Sequence, residues 1–161
     1  MIKLNQKEYL LILFILSIIS LTIAFIIEYI LGYQPCNLCI LERIPYALTI
    51  IILIINYKFK KNQVFYNILL LQIFAFSILI SLYHLGIEQG LVKESSVCIS
   101  DNTNLITKEN ILNSLKEFKV SCKDVTFRFF NLSLTTYNMF LSIIMFLIAL
   151  KVYLIKRYEE K

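Results

Sequence analysis

The sequence contains few of the residues that interrupt helices and few of the charged residues that form the surface of a soluble protein. Its 161 residues include only 3 Gly, 2 Pro, 1 His and no Trp, and 17% of them are charged. So little Gly and Pro fits long uninterrupted helices rather than turns and short strands. The hydrophobic share is 58% and the mean hydropathy is +0.73, which is more apolar than a soluble domain of this length needs to be. The length suggests one domain covering residues 1–161.

Four apolar stretches are long enough to cross a bilayer, which takes about 20 helical residues. The second must begin near Cys39, because a helix starting at Pro45 would be too short to span. Pro45 then lies near the start of that helix and predicts a bend or an irregular first turn. We therefore predict an all-α membrane protein, a bundle of four transmembrane helices, with spans at approximately 9–28, 39–57, 65–85 and 132–154.

The net charge of +5 is unevenly placed along the chain. Lysines and arginines cluster at the amino terminus, in the 58–61 loop and in the tail, which fits a membrane surface and not a nucleic-acid partner. By the positive-inside rule both termini are cytoplasmic. The loops 29–38 and 86–131 then face the periplasm of a bacterial inner membrane, and the pattern over 108–118 predicts a short amphipathic helix in the longer one.

All four cysteines fall on that outer, oxidising side, where thiols can form disulfides. Cys36 and Cys39 form a Cys-x-x-Cys pair, and Arg43, one helical turn beyond Cys39, can stabilise a thiolate there. A plain disulfide or half of a zinc site remains possible for this pair. A zinc site of four cysteines usually has two close pairs, whereas Cys98 and Cys122 lie far apart in the sequence, so we expect no metal.

A dithiol at the edge of the bilayer can pass electrons to a lipid-soluble acceptor, and a quinone is the natural two-electron acceptor at that depth. Arg43 could bind a quinone oxygen. His84 ends the third span on the same side, with Glu88 one turn further on, and could hydrogen-bond the quinone or simply lie at the interface. Glu28 and Glu42 are expected to be interfacial partners of Arg43.

The Cys98 and Cys122 thiols bracket the amphipathic segment of the long loop. A disulfide between them would be exposed, and an exposed disulfide can exchange with the thiolate of another protein. A purely stabilising bridge is the competing interpretation. Two cysteine pairs on one side of a membrane favour a relay, in which one pair faces a protein client and the other a membrane acceptor.

Four stretches resemble the disulfide bond formation protein B (DsbB) family of membrane thiol oxidases, which are four-helix bundles. The first, Pro35-Cys36-Asn-Leu-Cys39 with Arg43, is similar to the family's Pro-Cys-x-Leu-Cys motif and its arginine. The others are 83–90 at the close of span three, the second cysteine pair, and 127–134 at the entry into span four. The family often has tryptophan where this chain has Phe127.

The resemblance implies a thiol:quinone oxidoreductase and a role for each site residue. Cys36 and Cys39 would be the quinone-coupled pair, with Cys39 as the thiolate facing the ring, and Arg43 would bind the quinone. Cys98 would form a mixed disulfide with a DsbA-like thioredoxin-fold oxidase, and Cys122 would resolve it. The cofactor would be ubiquinone or menaquinone, drawn from the membrane quinone pool.

Two other functions compete with this interpretation. One is a quinone-binding or structural membrane subunit with two stapling disulfides. The other is a vitamin K epoxide reductase-like enzyme, which also couples loop cysteines to a membrane dithiol. In that enzyme the membrane pair follows the loop pair, whereas here it comes first.

Overall fold

The computed structural model describes residues 5–59, 62–94, 98, 121–123, 128–130 and 132–159. Helix α1 spans Gln6–Phe25 and continues as a π-helical segment over Ile26–Ile30; α2 is Asn37–Leu41, α3 is Ile44–Lys58, α4 is Gln63–Glu88 and α5 is Leu134–Glu159. Strands β1 (Arg128–Phe129) and β2 (Leu132–Ser133) form a small antiparallel hairpin just before α5. The amphipathic helix predicted over 108–118 lies outside the described residues.

Four helical segments are long and apolar enough to cross a membrane: Gln6–Ile30, Asn37–Lys58, Gln63–Glu88 and Leu134–Tyr158. The prediction of an all-α membrane protein with four transmembrane helices is therefore confirmed. The helices run past the predicted spans at nearly every end. The start of the fourth helix is the exception: it begins two residues later than predicted, because the hairpin occupies residues that the sequence pattern assigned to the span.

The second span is broken near its outer end. Cys36 is the N-cap of α2, which ends after Leu41, and a turn at Glu42 and Arg43 separates it from α3. Pro45 lies in the first turn of α3, where its missing N–H costs no helical hydrogen bond. The irregular start that Pro45 predicts is thus present, but the helix begins at Asn37, two residues before the predicted Cys39.

The four long helices contact one another in the cyclic order α1, α3, α4, α5, and α4 packs most extensively on α5. Their shared interior is apolar: Leu13, Tyr46, Ile52, Leu53, Leu70, Phe74, Met145 and Ala149. Large apolar side chains also cover the outside of the bundle, for example Ile51, Leu79 and Leu147, each more than half exposed. An apolar exterior suits lipid, which solvates such side chains as well as a protein core does.

Candidate functional site

The two halves of the Cys-x-x-Cys pair occupy the start of α2. As N-cap, Cys36 receives the backbone N–H of Cys39 on its Sγ atom at 3.2 Å. The same geometry brings the two Sγ atoms to 2.6 Å from each other. Both residues are free cysteines; Cys36 is buried and Cys39 half-buried. The i, i+3 spacing on a first helical turn therefore explains why these sulfurs face each other.

His84 lies directly behind the dithiol and is only 1% exposed. Its Nε2 atom is 3.5 Å from the Sγ atom of Cys36. Its Nδ1 atom is 3.1 Å from Oε1 of Glu42 and 3.3 Å from Oγ1 of Thr135. The structure therefore places His84 inside the bundle and not at the lipid interface. Its role towards a quinone stays a prediction.

Two carboxylates that the sequence left without a chemical role surround this histidine. Glu42 was expected to pair with Arg43, but its buried side chain points to His84 instead. Glu88 accepts a hydrogen bond from Thr135 at 2.6 Å and lies 3.9 Å from Nε2 of His84. The position of Glu88 one turn after His84 was visible in the sequence. The Glu42 contact joins the turn after α2 to α4, so no local spacing indicated it.

Arg43 points away from the histidine, towards the π-helical end of the first span. Its guanidinium donates to the Glu28 carboxylate and stacks over the Phe25 ring, with Cζ 5.3 Å from the ring centroid. Glu28 is therefore its partner, as expected. An arginine one turn beyond Cys39 was expected to stabilise the Cys39 thiolate, whereas the contacts found for its guanidinium lead to the first span.

Cys98 and Cys122 form a disulfide with their Cα atoms 5.4 Å apart. Sequence reasoning expected an exposed bridge, but the residues are 4% and 2% exposed. They are buried because they pack in one cluster with Cys36, Leu38 and Ile87. The second pair therefore lies against the first pair.

The chain on both sides of Cys122 is held to the chain after α4 by one carboxylate. Glu94 accepts hydrogen bonds from the Ser121 hydroxyl and from the backbone N–H of Lys123, the latter at 2.9 Å. These two donors flank Cys122 in the sequence. Glu94 thus fixes the position of the disulfide relative to the end of α4.

A cavity of about 390 Å³ opens beside the dithiol. Apolar side chains of the first span form one wall, and Cys36, Cys39 and Cys122 all border it. Its polar lining includes Arg43, Glu42, Tyr46, His84, Glu88, Thr135 and Asn138. This volume falls in the range typical of small-molecule pockets, which are mostly apolar with a few placed polar groups.

The surroundings of Cys36 favour its charged form. The hydrogen bond with the Cys39 side chain lowers the pKa of the Cys36 thiol most, burial acts in the opposite direction, and His84 lowers it further by hydrogen bonding and by charge. Together these effects lower the pKa of Cys36 to about 5. Since the thiolate is the attacking species in disulfide exchange, this lowering of the pKa favours Cys36 as the attacking sulfur of the pair.

The two sulfurs and a His84 nitrogen all lie within 4.8 Å of one another, which raises the question of a shared metal ion. Two thiolates bound tetrahedrally to one zinc at bonds of about 2.3 Å would stand about 3.8 Å apart. The Sγ atoms of Cys36 and Cys39 are 2.6 Å apart. This spacing favours a dithiol that closes to a disulfide over a zinc site.

Comparison with known proteins agrees with this geometry. The family model described as disulfide bond formation protein DsbB matches residues 6–152. The chain is also 33% identical over 138 residues to the uncharacterized protein RP370 of Rickettsia prowazekii (strain Madrid E). That alignment covers 83% of this chain and 79% of the Rickettsia protein. With a match across nearly its whole length, the chain belongs to the DsbB family of disulfide-forming membrane oxidoreductases.

Proposed function

We propose that this protein takes two electrons from a DsbA-like thioredoxin-fold oxidase and passes them to a membrane quinone. The observation that carries the proposal is the contact between the two cysteine pairs. Cys36 packs in one buried cluster with Cys98 and Cys122, and one apolar cavity borders Cys36, Cys39 and Cys122. Electrons can therefore move from one pair to the other by direct exchange, next to a pocket for a lipid-soluble acceptor.

The first half of the reaction is disulfide exchange with the client. A thiolate of the reduced client attacks Cys98, forms a mixed disulfide with it and expels Cys122 as a thiolate. Cys122 then attacks Cys36 in the oxidised Cys36–Cys39 pair, and Cys39 leaves with the electron pair of the broken bond. Because Cys98 and Cys122 are buried, docking of the client has to expose the Cys98 sulfur before the exchange begins.

The cavity suits a quinone by size and by chemistry. Its apolar wall matches a hydrocarbon-substituted ring, and the Arg43 guanidinium has five N–H donors, more than its contact with Glu28 uses. Tyr46 and Asn138, which are hydrogen-bonded to each other, add further polar atoms to the lining. A bound quinone would accept two electrons and two protons, while the protein side chains orient the ring beside Cys39. Ubiquinone and menaquinone both meet these requirements.

The same arrangement supports an inner-membrane location with a periplasmic dithiol. Basic residues lie in the last turn of α3, which contains Lys58, and in the last turn of α5, which contains Lys156 and Arg157. Cys36 and His84 lie at the opposite ends of the second and third spans. Basic residues prefer the cytoplasmic side, which supports cytoplasmic termini and periplasmic cysteines.

The test is a purified-protein assay with a short-chain quinone and a reduced thioredoxin-fold dithiol protein as electron donor. We expect one hydroquinone formed for each client disulfide, with no loss of stoichiometry in the absence of oxygen. A structural subunit with two stapling disulfides would give neither product. Oxidation of the client without hydroquinone formation would disprove the quinone half and leave the exchange half standing.

A further inference from the structure

Both ring nitrogens of His84 are engaged by groups of this chain, which distinguishes His84 from a residue kept for a ligand. A carboxylate accepts hydrogen bonds, so the Nδ1–H group donates to Glu42 at 3.1 Å. The Nε2 atom then faces the Cys36 sulfur at 3.5 Å. This sequence of carboxylate, imidazole and nucleophile has the order used by enzymes that activate a thiol with a base and an orienting acid.

The burial of these groups argues against a packing role. The side chains of His84 and Glu42 are 2% and 8% exposed, and Cys36 is 5% exposed. Isolated charges in such a place are costly, and ionisable residues inside a membrane protein mostly serve ion or proton transfer. A proton that moves among Cys36, His84 and Glu42 lets these groups keep hydrogen-bonded or oppositely charged neighbours whether the dithiol is reduced or oxidised.

We propose that Cys36, His84 and Glu42 form a buried proton-transfer triad, in which His84 is the base for the Cys36 thiol and Glu42 orients the imidazole. His84 is a catalytic residue in this scheme because it touches the reacting sulfur. Glu42 is a positioning residue that acts through His84. The triad deepens the proposed function, and it rests on the redox role of the same dithiol.

The triad accounts for the proton that the Cys36 thiol loses in disulfide exchange. His84 takes the proton of the Cys36 thiol, and the thiolate attacks one sulfur of a disulfide to form a new S–S bond. The second sulfur leaves with the electron pair of the broken bond and takes up a proton. In the opposite direction, attack on a disulfide that contains Cys36 expels Cys36 as a thiolate, which the imidazolium stabilises.

Several other charged or titratable groups face Cys36 and could mimic the effect of the triad. Cys39 contacts the sulfur from the same turn, and Glu88 approaches His84 from α4 at 3.9 Å. Arg43 borders the same cavity but is paired with Glu28. The test therefore has to separate the effect of Glu42, which acts through Nδ1 of His84, from the general electrostatic effect of charged groups near Cys36.

The first measurement is the pH dependence of Cys36 alkylation. Full-length protein in lipid nanodiscs, without quinone and with Cys98 and Cys122 replaced by Ser, is reduced and treated with iodoacetamide, and the label on Cys36 is followed by mass spectrometry. Since the pKa of Cys36 is lowered to about 5, we expect full reactivity at neutral pH and a loss of reactivity only below that value. His84→Gln should raise the midpoint by about two pH units.

Glu42→Gln and Glu88→Gln form a matched pair, because each removes one carboxylate next to the same imidazole. A carboxylate acting on Cys36 directly through space disfavours the thiolate, so its removal would lower the midpoint. A carboxylate that stabilises the His84 imidazolium favours the Cys36 thiolate, so the removal of such a carboxylate would raise the midpoint. The triad predicts that Glu42→Gln raises the midpoint by about half a unit or more and that Glu88→Gln has a smaller effect. A fall in Glu42→Gln, or equal shifts in both variants, would rule out positioning by Glu42.

A second measurement keeps His84 intact and so does not depend on how its variants fold. His84 is the only histidine in the chain, so ¹⁵N-histidine labelling gives one imidazole in the NMR spectrum. At pH 7 we expect a doubly protonated ring in the reduced protein and a neutral ring in Cys36→Ser. An identical ring state in both samples would overturn the triad. Neither readout involves the quinone or the client, so failure here is distinct from failure of the redox assay.

Discussion

Several hydroxyl groups in the middle of the bundle and the ionisable groups at its cysteine end form their hydrogen bonds in different ways. In the middle, Ser17 donates to the Leu13 carbonyl and Thr49 to the Pro45 carbonyl, each at 2.8 Å and each within its own helix. At the cysteine end the bonds join helices and involve ionisable groups, as in the contact of His84 with Glu42.

The difference separates what holds the helices in place from what reacts. A hydroxyl bonded to its own helix leaves the helix surface effectively apolar, so neighbouring helices associate by packing. Ionisable groups bonded across helices fix the relative positions of particular atoms and are expensive to bury. Substitutions at the cysteine end should therefore change chemistry, while those in the middle should change stability slightly.

Cys39→Ser should have the largest effect. A single thiol left in the first pair cannot carry two electrons, so hydroquinone formation driven by the reduced client should fall by about a thousandfold or more. Cys36→Ser should do the same. The measurement is the initial rate of quinone reduction by purified protein.

The control for these variants is the second pair. Cys98 and Cys122 should still form their disulfide and still trap the client as a mixed disulfide, which a non-reducing gel detects. Normal quinone-dependent turnover in Cys39→Ser would rule out electron transfer to the quinone through the Cys36–Cys39 pair. Loss of the mixed disulfide as well would mean that the first pair is needed to build the site.

Arg43→Ala should have the next largest effect, on affinity rather than on the thiol chemistry. A hydrogen bond to a charged group contributes about 1.5–3 kcal/mol, so the KM for a short-chain quinone should rise about 10- to 100-fold. Arg43→Lys keeps the charge but not the planar fork, and should give a smaller rise. The KM is obtained from rates at saturating client.

Glu28→Gln is the matched control for this arginine. It removes the ion-pair partner seen in the structure but keeps the guanidinium. If Arg43 serves the quinone, Glu28→Gln should change KM much less than Arg43→Ala. Equal effects would make the pair a structural link between the first two spans, and an unchanged KM in Arg43→Ala would place the quinone elsewhere.

The sequence indicates the fold well because a lipid-facing helix needs an unbroken apolar stretch, and four such stretches are evident. It also indicates the dithiol at a helix start and the pairing of Arg43 with Glu28. The hairpin over 128–133 was missed because two strands of two residues each leave no periodic pattern.

Longer-range contacts were missed for another reason. His84 and Glu42 are 42 positions apart, and only the packing of α4 against the turn after α2 brings them together. The burial of the disulfide of Cys98 and Cys122 likewise depends on Leu38 and Ile87, which look like ordinary apolar positions in the sequence.

The smallest effect should come from the middle of the bundle, where Ser77, like Tyr46, is hydrogen-bonded to another helix and not to its own. Its hydroxyl lies 2.9 Å from that of Ser142 on the facing helix, whereas Ser17 bonds within its own helix. Hydrogen bonds between transmembrane helices contribute about 0.6 kcal/mol on average, so Ser77→Ala should lower the free energy of unfolding by about that amount relative to Ser17→Ala. Both variants replace Ser by Ala inside a helix, so the contribution of helix propensity is the same in each and cancels in the comparison.

Unfolding in mixed micelles, followed during a titration with denaturing detergent, measures the stability of both variants. Equal losses would mean that bonds across helices and bonds within one helix contribute alike, and the distinction between the two regions would then rest on the charged groups alone.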